Sequence, residues 1–411
     1  MDIKPIFSAL LRNKTGAILV ALQVAISLAI LSNAVHIISL RQAMAARPSG
    51  IANEGQVFSI FQRTLREQGH EEQLANQQRA AEALRGVPGV RSVASVSQIP
   101  MSFSGSNTGV AVERTQTRET ATVAYYYTAE SLIDTWGLKL VGGRDFQPSE
   151  VQIVDRSKSV DWPEVAIITR ALAEKLWPGQ DAVGRTFFNG TGDEARPMRV
   201  VGVIERLQSY AAETSERGEF SMILPQRATG AGNFSLYTVR ADQGDLAAVM
   251  KNAEEALRKA SHDPSIVRAR AISQERKDRY RSDMAMAWML VTVSALLLLI
   301  TASGIVGMAS LWVTQRRKQI GVRRALGARK IDILRYFITE NFLITSLGVA
   351  AGVVGAIGLN SLLVAQLEMT PLPLTYLLFG ALLFWGLGVL AVYGPAWRAA
   401  SISPALATRS T

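Results

Sequence analysis

The residues with the charge density to do chemistry lie in one stretch, QRRKQIGVRRALGARKIDILRYFITE, at 315–340. It carries eight basic residues (Arg316, Arg317, Lys318, Arg323, Arg324, Arg329, Lys330 and Arg335) against one acid, Asp332, before Glu340. Such a cluster suits contact with anionic lipid headgroups. The pattern says more than the composition. Apolar Ile320, Val322, Ala325 and Leu326 alternate with the arginines, while Gly321 and Gly327 punctuate the run and Ala328 follows it. This spacing predicts a short amphipathic helix ended by Gly327, then a second helix from about Lys330 that continues into an apolar segment.

Other chemistry is poorly represented. No G-x-x-x-x-G-K-[ST] phosphate loop occurs, and Gly142-Gly143-Arg144 is too short to cradle phosphates. The three histidines, His36, His70 and His262, lie far apart with no H-E-x-x-H around them. The absence of cysteine excludes thiol catalysis, cysteine zinc sites and disulfides. No G-x-S-x-G elbow is present either. The chain is therefore expected not to be an enzyme and to hold no metal or cofactor of its own.

Charge distribution sets the topology. The formal net charge of +10 on 411 residues first suggests nucleic acid, but residues 41–282 carry 31 Lys/Arg against 29 Asp/Glu. The excess sits in the 315–336 loop and at both termini. That is the asymmetry of short cytoplasmic segments, and no nucleic-acid partner is expected. Four apolar spans are predicted, at 15–40, 284–313, 337–366 and 374–395. They leave an interfacial amphipathic helix at 1–14, a cytoplasmic loop at 314–336 and a cytoplasmic tail at 396–411. Gln23, Ser27, Asn33 and His36 in the first span read as interhelical or headgroup hydrogen-bonding groups. Gly348, Gly352, Gly355 and Gly358 in the third form a small-residue face for helix packing, within the subunit or between subunits. Pro395 is expected to turn the chain at the end of the fourth span.

Residues 41–282 form the insert between the first and second spans. Two segments in it share a strand–helix–strand pattern: 54–96, with a helix near 72–85, and 234–273, with a helix near 246–260. If they pair, they make one α+β layer with 97–233 inserted between the halves. The insert is rich in strand patterns, at 123–127, 165–169 and 198–204. Held without disulfides, a domain of roughly 240 residues is large enough to rely on its core alone.

The run RRKQIGVRRALGARKIDILRYFITE resembles the signature of the FtsX/MacB-type permeases, membrane subunits of mechanotransmitting (type VII) ABC transporters. Gln319 stands where that signature usually has Glu, and an uncharged amide supplies no salt bridge from this position. Segments WGLKLVGGRDF (136–146), ITRALAEKLWPGQDAVGRTF (168–187) and MRVVGVI (198–204) resemble the MacB-like periplasmic core domain. GPAWRAASISPALATR (394–409) is similar to the family's closing motif.

The resemblance implies a four-helix membrane protein whose large α+β extracytoplasmic domain joins a porter-like βαβ pair to a β-rich, sabre-like insert. It implies that Arg316, Arg317, Ile320, Gly321, Val322, Arg323, Arg324, Ala325, Leu326, Gly327 and Ala328 couple the permease to a separate ABC ATPase, which binds the ATP and Mg. A second permease, identical or divergent, is the expected further partner, with membrane lipids around it. A membrane-fusion adaptor and an outer-membrane channel are optional additions. The expected setting is the inner membrane with the large domain in the periplasm, and the expected task is export of a periplasmic or outer-leaflet substrate. Alternatives are an FtsX-like regulator of a cell-wall hydrolase, a lipoprotein-release permease, or a receptor that signals inward.

Overall fold

The computed structural model describes residues 14–212, 216–230, 232–367 and 370–401. The expected N-terminal amphipathic helix and the tail beyond Ser401 lie outside the described residues. In chain order the elements are α1 (Lys14–Ala45), β1 (Val57–Thr64), α2 (His70–Arg85), β2 (Val90–Ser95), β3 (Asn107–Ala111), β4 (Ala121–Thr128), α3 (Leu132–Trp136), β5 (Leu140–Gly143), β6 (Gln152–Asp155) and β7 (Val165–Thr169). There follow α4 (Arg170–Leu176), β8 (Thr186–Asn189), β9 (Arg196–Ile204), β10 (Ser221–Thr229), β11 (Phe234–Ala241), α5 (Leu246–Ala260), β12 (Ser265–Ala271), α6 (Ile272–Gln315), α7 (Arg317–Ala325), α8 (Lys330–Leu367) and α9 (Leu374–Ala400). The chain divides into two compact units, one formed by Met44–Ser282 and the other by the segments on either side of it.

Within Met44–Ser282 the two strand–helix–strand segments interleave. The first sheet has the order β12-β1-β11-β2, and every neighbouring pair is antiparallel. β11 thus separates β1 from β2, and β1 separates β11 from β12, so each βαβ is split by a strand of the other. Alternation puts Phe58 and Ile60 of β1 with Tyr237 and Val239 of β11 on one face, where they meet Leu84 of α2 and Leu257 of α5. Full burial of one such side chain contributes about 1.5–3 kcal/mol. α5 begins at Asp245, whose carboxylate accepts from the Ala247 and Ala248 N–H groups.

The second sheet follows β4-β3-β8-β9-β7-β10-β6, with β5 on β9. A further parallel pairing of β4 with β10 closes six of these strands, β4-β3-β8-β9-β7-β10, into a ring. β7 is buried throughout. Val165 and Ile167 enter one core, while Ala166 and Ile168 enter another with Phe187, Met222 and Leu172. The two sheets are tied at α3: Trp136, fully buried, donates from Nε1 to Thr238 Oγ1 of β11 at 2.7 Å.

The second unit contains the membrane-type helices. α1, α6, α8 and α9 are each long and apolar enough to cross a bilayer. The polar residues of α1 make interhelical contacts: Gln23 Nε2 donates to the Ile300 carbonyl at 3.0 Å, and Ser27 Oγ lies 2.8 Å from Thr301 Oγ1. Asn33 Nδ2 donates to Ala356 O at 3.1 Å, and His36 Nε2 to Thr370 O at 3.1 Å. A Cβ at Gly348 would lie 2.7 Å from the Ala21 carbonyl oxygen, and one at Gly352 would lie 3.0 Å from that of Ala25. Gly348 and Gly352 therefore admit α1 itself. Gly355 has only Ala29 near it, at 3.5 Å, and Gly358 faces open space.

The expected turn at Pro395 is absent. α9 runs through Pro395 to Ala400. Proline removes one helical N–H and costs about 3 kcal/mol in a helix interior. Ala396, Ala399 and Ala400 are fully buried in the core of this unit, and that packing holds the last turn helical.

One ion pair of the Met44–Ser282 unit gives a pH test. Arg144, directly after β5, grips Glu150 through two parallel hydrogen bonds of 2.9 and 2.6 Å and holds its carboxyl down to about 2. Because the folded value lies below the usual 4.5, the native chain binds fewer protons. The contribution is therefore complete above about pH 4.5 and lost as pH falls toward about 2. Glu150→Gln is expected to lower the melting temperature at neutral pH and to flatten its decline across that window. An unchanged slope in thermal melts of the full chain would assign the acid sensitivity elsewhere.

Candidate functional site

The basic loop folds into the two helices its pattern predicts. α7 ends in a Schellman arrangement: Ala328 N–H donates to Arg323 O at 3.1 Å and Gly327 N–H to Arg324 O at 3.2 Å. Gly327 supplies the required left-handed residue at φ 99°. The next helix starts at once. Asp332 reaches back to accept from the Arg329 N–H at 2.9 Å, one half of a capping box.

The apolar residues of α7 divide into two sets. Ile320 and Gly321 are buried, Ile320 in a core with Ile333, Leu334 and Phe337 of α8 and Ala396, Ala399 and Ala400 of α9. Ile320 thus anchors the helix to its own unit and is not open to a partner. Val322 and Leu326 point outward, Leu326 with 83% of its surface exposed. Arg317, Arg323, Ala325 and Gly327 are also exposed, and Arg324 and Ala328 are half-buried.

Arg316 behaves differently from the other basic residues. Its Nη1 lies 2.8 Å from Glu340 Oε2, with the Glu340 side chain 1% exposed and that of Arg316 15%. The same nitrogen reaches Tyr336 Oη at 3.4 Å, and the Arg323 guanidinium sits 5.1 Å above the Tyr336 ring. Glu340 and Tyr336 are the residues that sequence reasoning missed. The signal was there: an acid inside an apolar span needs a partner, and the loop offers basic ones.

Removing one member of a buried ion pair strands the other, at about 3–5 kcal/mol. Glu340→Ala is therefore expected to destabilise the membrane unit by about that amount. Replacing both residues by Met, Arg316→Met with Glu340→Met, should restore most of it. Thermal melts of purified variants in one detergent measure the difference, and equal stability of wild type and Glu340→Ala would show that the pair holds nothing.

Comparison with known proteins identifies the family. Residues 19–256 match the MacB-like periplasmic core domain, and residues 291–404 match the FtsX-like permease C-terminal domain. The macrolide export ATP-binding/permease protein MacB 2 of Aeromonas hydrophila is 26% identical over 275 residues, covering 65% of this chain and 40% of that protein. The MacB protein of Chromobacterium violaceum is 26% identical over 272 residues, again 65% and 40%. The chain thus spans about two fifths of the length of the curated relatives it matches. Among solved structures, the extracellular domain of the noncanonic ABC-type transporter YknZ is 17% identical, covering 52% of this chain and 99% of that one, with a TM-score of 0.33. The periplasmic region of MacB from Actinobacillus actinomycetemcomitans is 15% identical, covering 58% and 97%, with a TM-score of 0.35. With one family match over more than half of its length and a second over its last three apolar helices, the chain is a multi-pass membrane protein of the permease family that joins a MacB-like periplasmic core domain to an FtsX-like C-terminal domain.

Proposed function

We propose that this chain is the permease subunit of an ABC transporter, working in the inner membrane with its Met44–Ser282 domain in the periplasm. A separate ATPase binds ATP and Mg and docks on α7. The first sheet serves as the porter-like part of the domain and the closed ring as the sabre-like part. Closure of the ATPases drives a conformational change in this domain that exports a periplasmic or outer-leaflet substrate. The named relatives are macrolide export proteins, which favours a lipophilic compound over a lipoprotein. A pair of permeases, identical or divergent, completes the assembly. Gly358, open on the third span, is a natural contact for a second copy.

The observation that carries this reading is Leu326. A leucine 83% exposed at the end of a capped helix, ringed by arginines and held by a buried ion pair, is a side chain offered to a partner. Burying it in a groove is worth about 1.5–3 kcal/mol, or roughly tenfold to a hundredfold in docking affinity. Exposed rim charges are worth about 0.2–1 kcal/mol each.

Leu326→Glu is accordingly expected to abolish co-purification of the ATPase and substrate-dependent activity in membranes, while Arg317→Ala remains mild. Gly327→Pro should fail as well, because the turn out of α7 loses an N–H donor and its left-handed residue. Normal ATPase binding by Leu326→Glu would reject docking at this loop. Topology has its own test in this cysteine-free chain. Single cysteines at Ser106 and Arg329 should label oppositely with a membrane-impermeant maleimide in intact cells, Ser106→Cys reacting and Arg329→Cys protected. Equal labelling would reject the orientation.

A further inference from the structure

Within Met44–Ser282, a cavity of about 480 Å³ is lined by both the four-stranded sheet and the closed ring. Its volume suits a small organic ligand, for which pockets run about 300–1,000 Å³. The first sheet contributes Phe61 and Phe234, stacked with centroids 5.8 Å apart. The ring contributes Tyr125 and Tyr127, with Trp162 set edge-on to Tyr125 at 5.1 Å. Serines 97, 102, 104 and 106 add hydroxyls from the segment between β2 and β3.

Two guanidinium groups reach this space. Arg156 donates to Tyr127 Oη at 3.0 Å and lies over the Tyr127 ring, yet it has no carboxylate partner among the described residues. Arg227 donates from Nη2 to Glu130 Oε1 at 2.6 Å, while its Nη1 is enclosed and makes no hydrogen bond. Beside it on β10, Gln226 is 1% exposed; its Nε2 donates to Asp161 O at 2.9 Å and its Oε1 has no partner. Enclosed donors and acceptors are almost always paired, so these two orphans leave hydrogen-bonding capacity unmet within the wall of the cavity. The cavity's one carboxylate among the described residues, Glu275, is 3.4 Å from Arg270 and already paired.

We propose that this cavity is a binding site for an amphipathic organic anion, its carboxylate or phosphate held by Arg156 and Arg227 and its apolar body against Phe61, Phe234, Tyr125 and Tyr127. Arg156, a cation without a matching acid among the described residues, selects the anion, and the aromatic walls select a ligand with a flat or acyl body. The site is remote in sequence from the α7 loop and needs no ATPase, so it stands or falls separately from the transport reading.

The test is a titration of the full chain, in nanodiscs of phosphatidylcholine, with naphthalene-1-acetate and with naphthalene-1-acetamide, which has the same body without the charge. Empty nanodiscs supply the blank, and calorimetry or ligand-observed NMR supplies the readout. The acetate is expected to bind about tenfold more tightly than the amide, the difference one charge-assisted hydrogen bond confers. Arg156→Gln and Arg227→Gln should each erase most of that preference with the near-UV circular dichroism unchanged. Arg156→Gln leaves every ion pair intact and guards against a folding defect in the second variant. Phosphatidylglycerol added to the discs distinguishes the sources: competition with the acetate identifies a lipid headgroup as the anion, and undiminished binding identifies a free solute. Equal affinity for acetate and amide, or a preference that survives both substitutions, would overturn the proposal and leave the orphan groups to ordered water.

Discussion

The buried ion pair between Arg316 and Glu340 fixes where the basic loop can be. The two residues are 24 positions apart, one between α6 and α7 and the other well inside α8, and they meet at 2.8 Å. In surroundings from which water is excluded, neither charge is tolerated alone, so α7 cannot swing away without stranding both. Tyr336, one turn before Glu340, extends the contact by lying under Arg323. Ile320 adds apolar packing against the same helix and against the end of α9. These restraints hold one side of α7 against its own unit, and Leu326 is left on the other. The exposed leucine is thus a consequence of the anchoring, not a gap in the packing.

The rest of the membrane unit is held by the same economy of contacts. Apolar side chains gain little from one another when lipid is the alternative, so close approach and hydrogen bonds decide which helices pair. α1 combines both devices. Its carbonyls at Ala21 and Ala25 lie where Gly348 and Gly352 have no side chain. Its Gln23, Ser27 and Asn33 bond to α6 and α8.

The sequence was most legible where the signal is local. The α7 turn could be read from Gly327 because a left-handed residue after an amphipathic run has few other uses, and each strand–helix–strand segment could be read from its period. What stayed hidden was non-local. Nothing in the residues of β1 and β2 tells that β11 runs between them, and the pairing of β4 with β10, which closes the ring, joins strands about a hundred positions apart. The partnership of Glu340 with Arg316 is hidden in the same way, since any of eight basic residues in the loop was a candidate. Pro395 misled for a different reason. A helix-breaking residue was weighed by its local cost, and the burial of Ala396, Ala399 and Ala400 outweighed it.

Within Met44–Ser282 the two sheets meet in two different ways. On one side lies α3, where Trp136 is buried beneath Tyr126 in an edge-on contact and bonded to Thr238. Arg240 of β11 is buried beside it, donating from Nε to Thr135 O at 2.8 Å and from Nη2 to Ala52 O at 2.9 Å. Burial, with Arg91 as a lesser neighbour, pulls its pKa below the ordinary arginine value, but a guanidinium does not lose its proton for that. A cation held only by backbone carbonyls on two separate segments makes a stiff joint, because displacing either segment leaves charge and carbonyl unpaired in the interior. At the cavity the tie is different: Arg227 of β10 donates to Glu130, whose Oε2 accepts from the N–H and hydroxyl of Ser95 on β2, and Gln77 of α2 donates to Ala228 O of β10 at 3.0 Å.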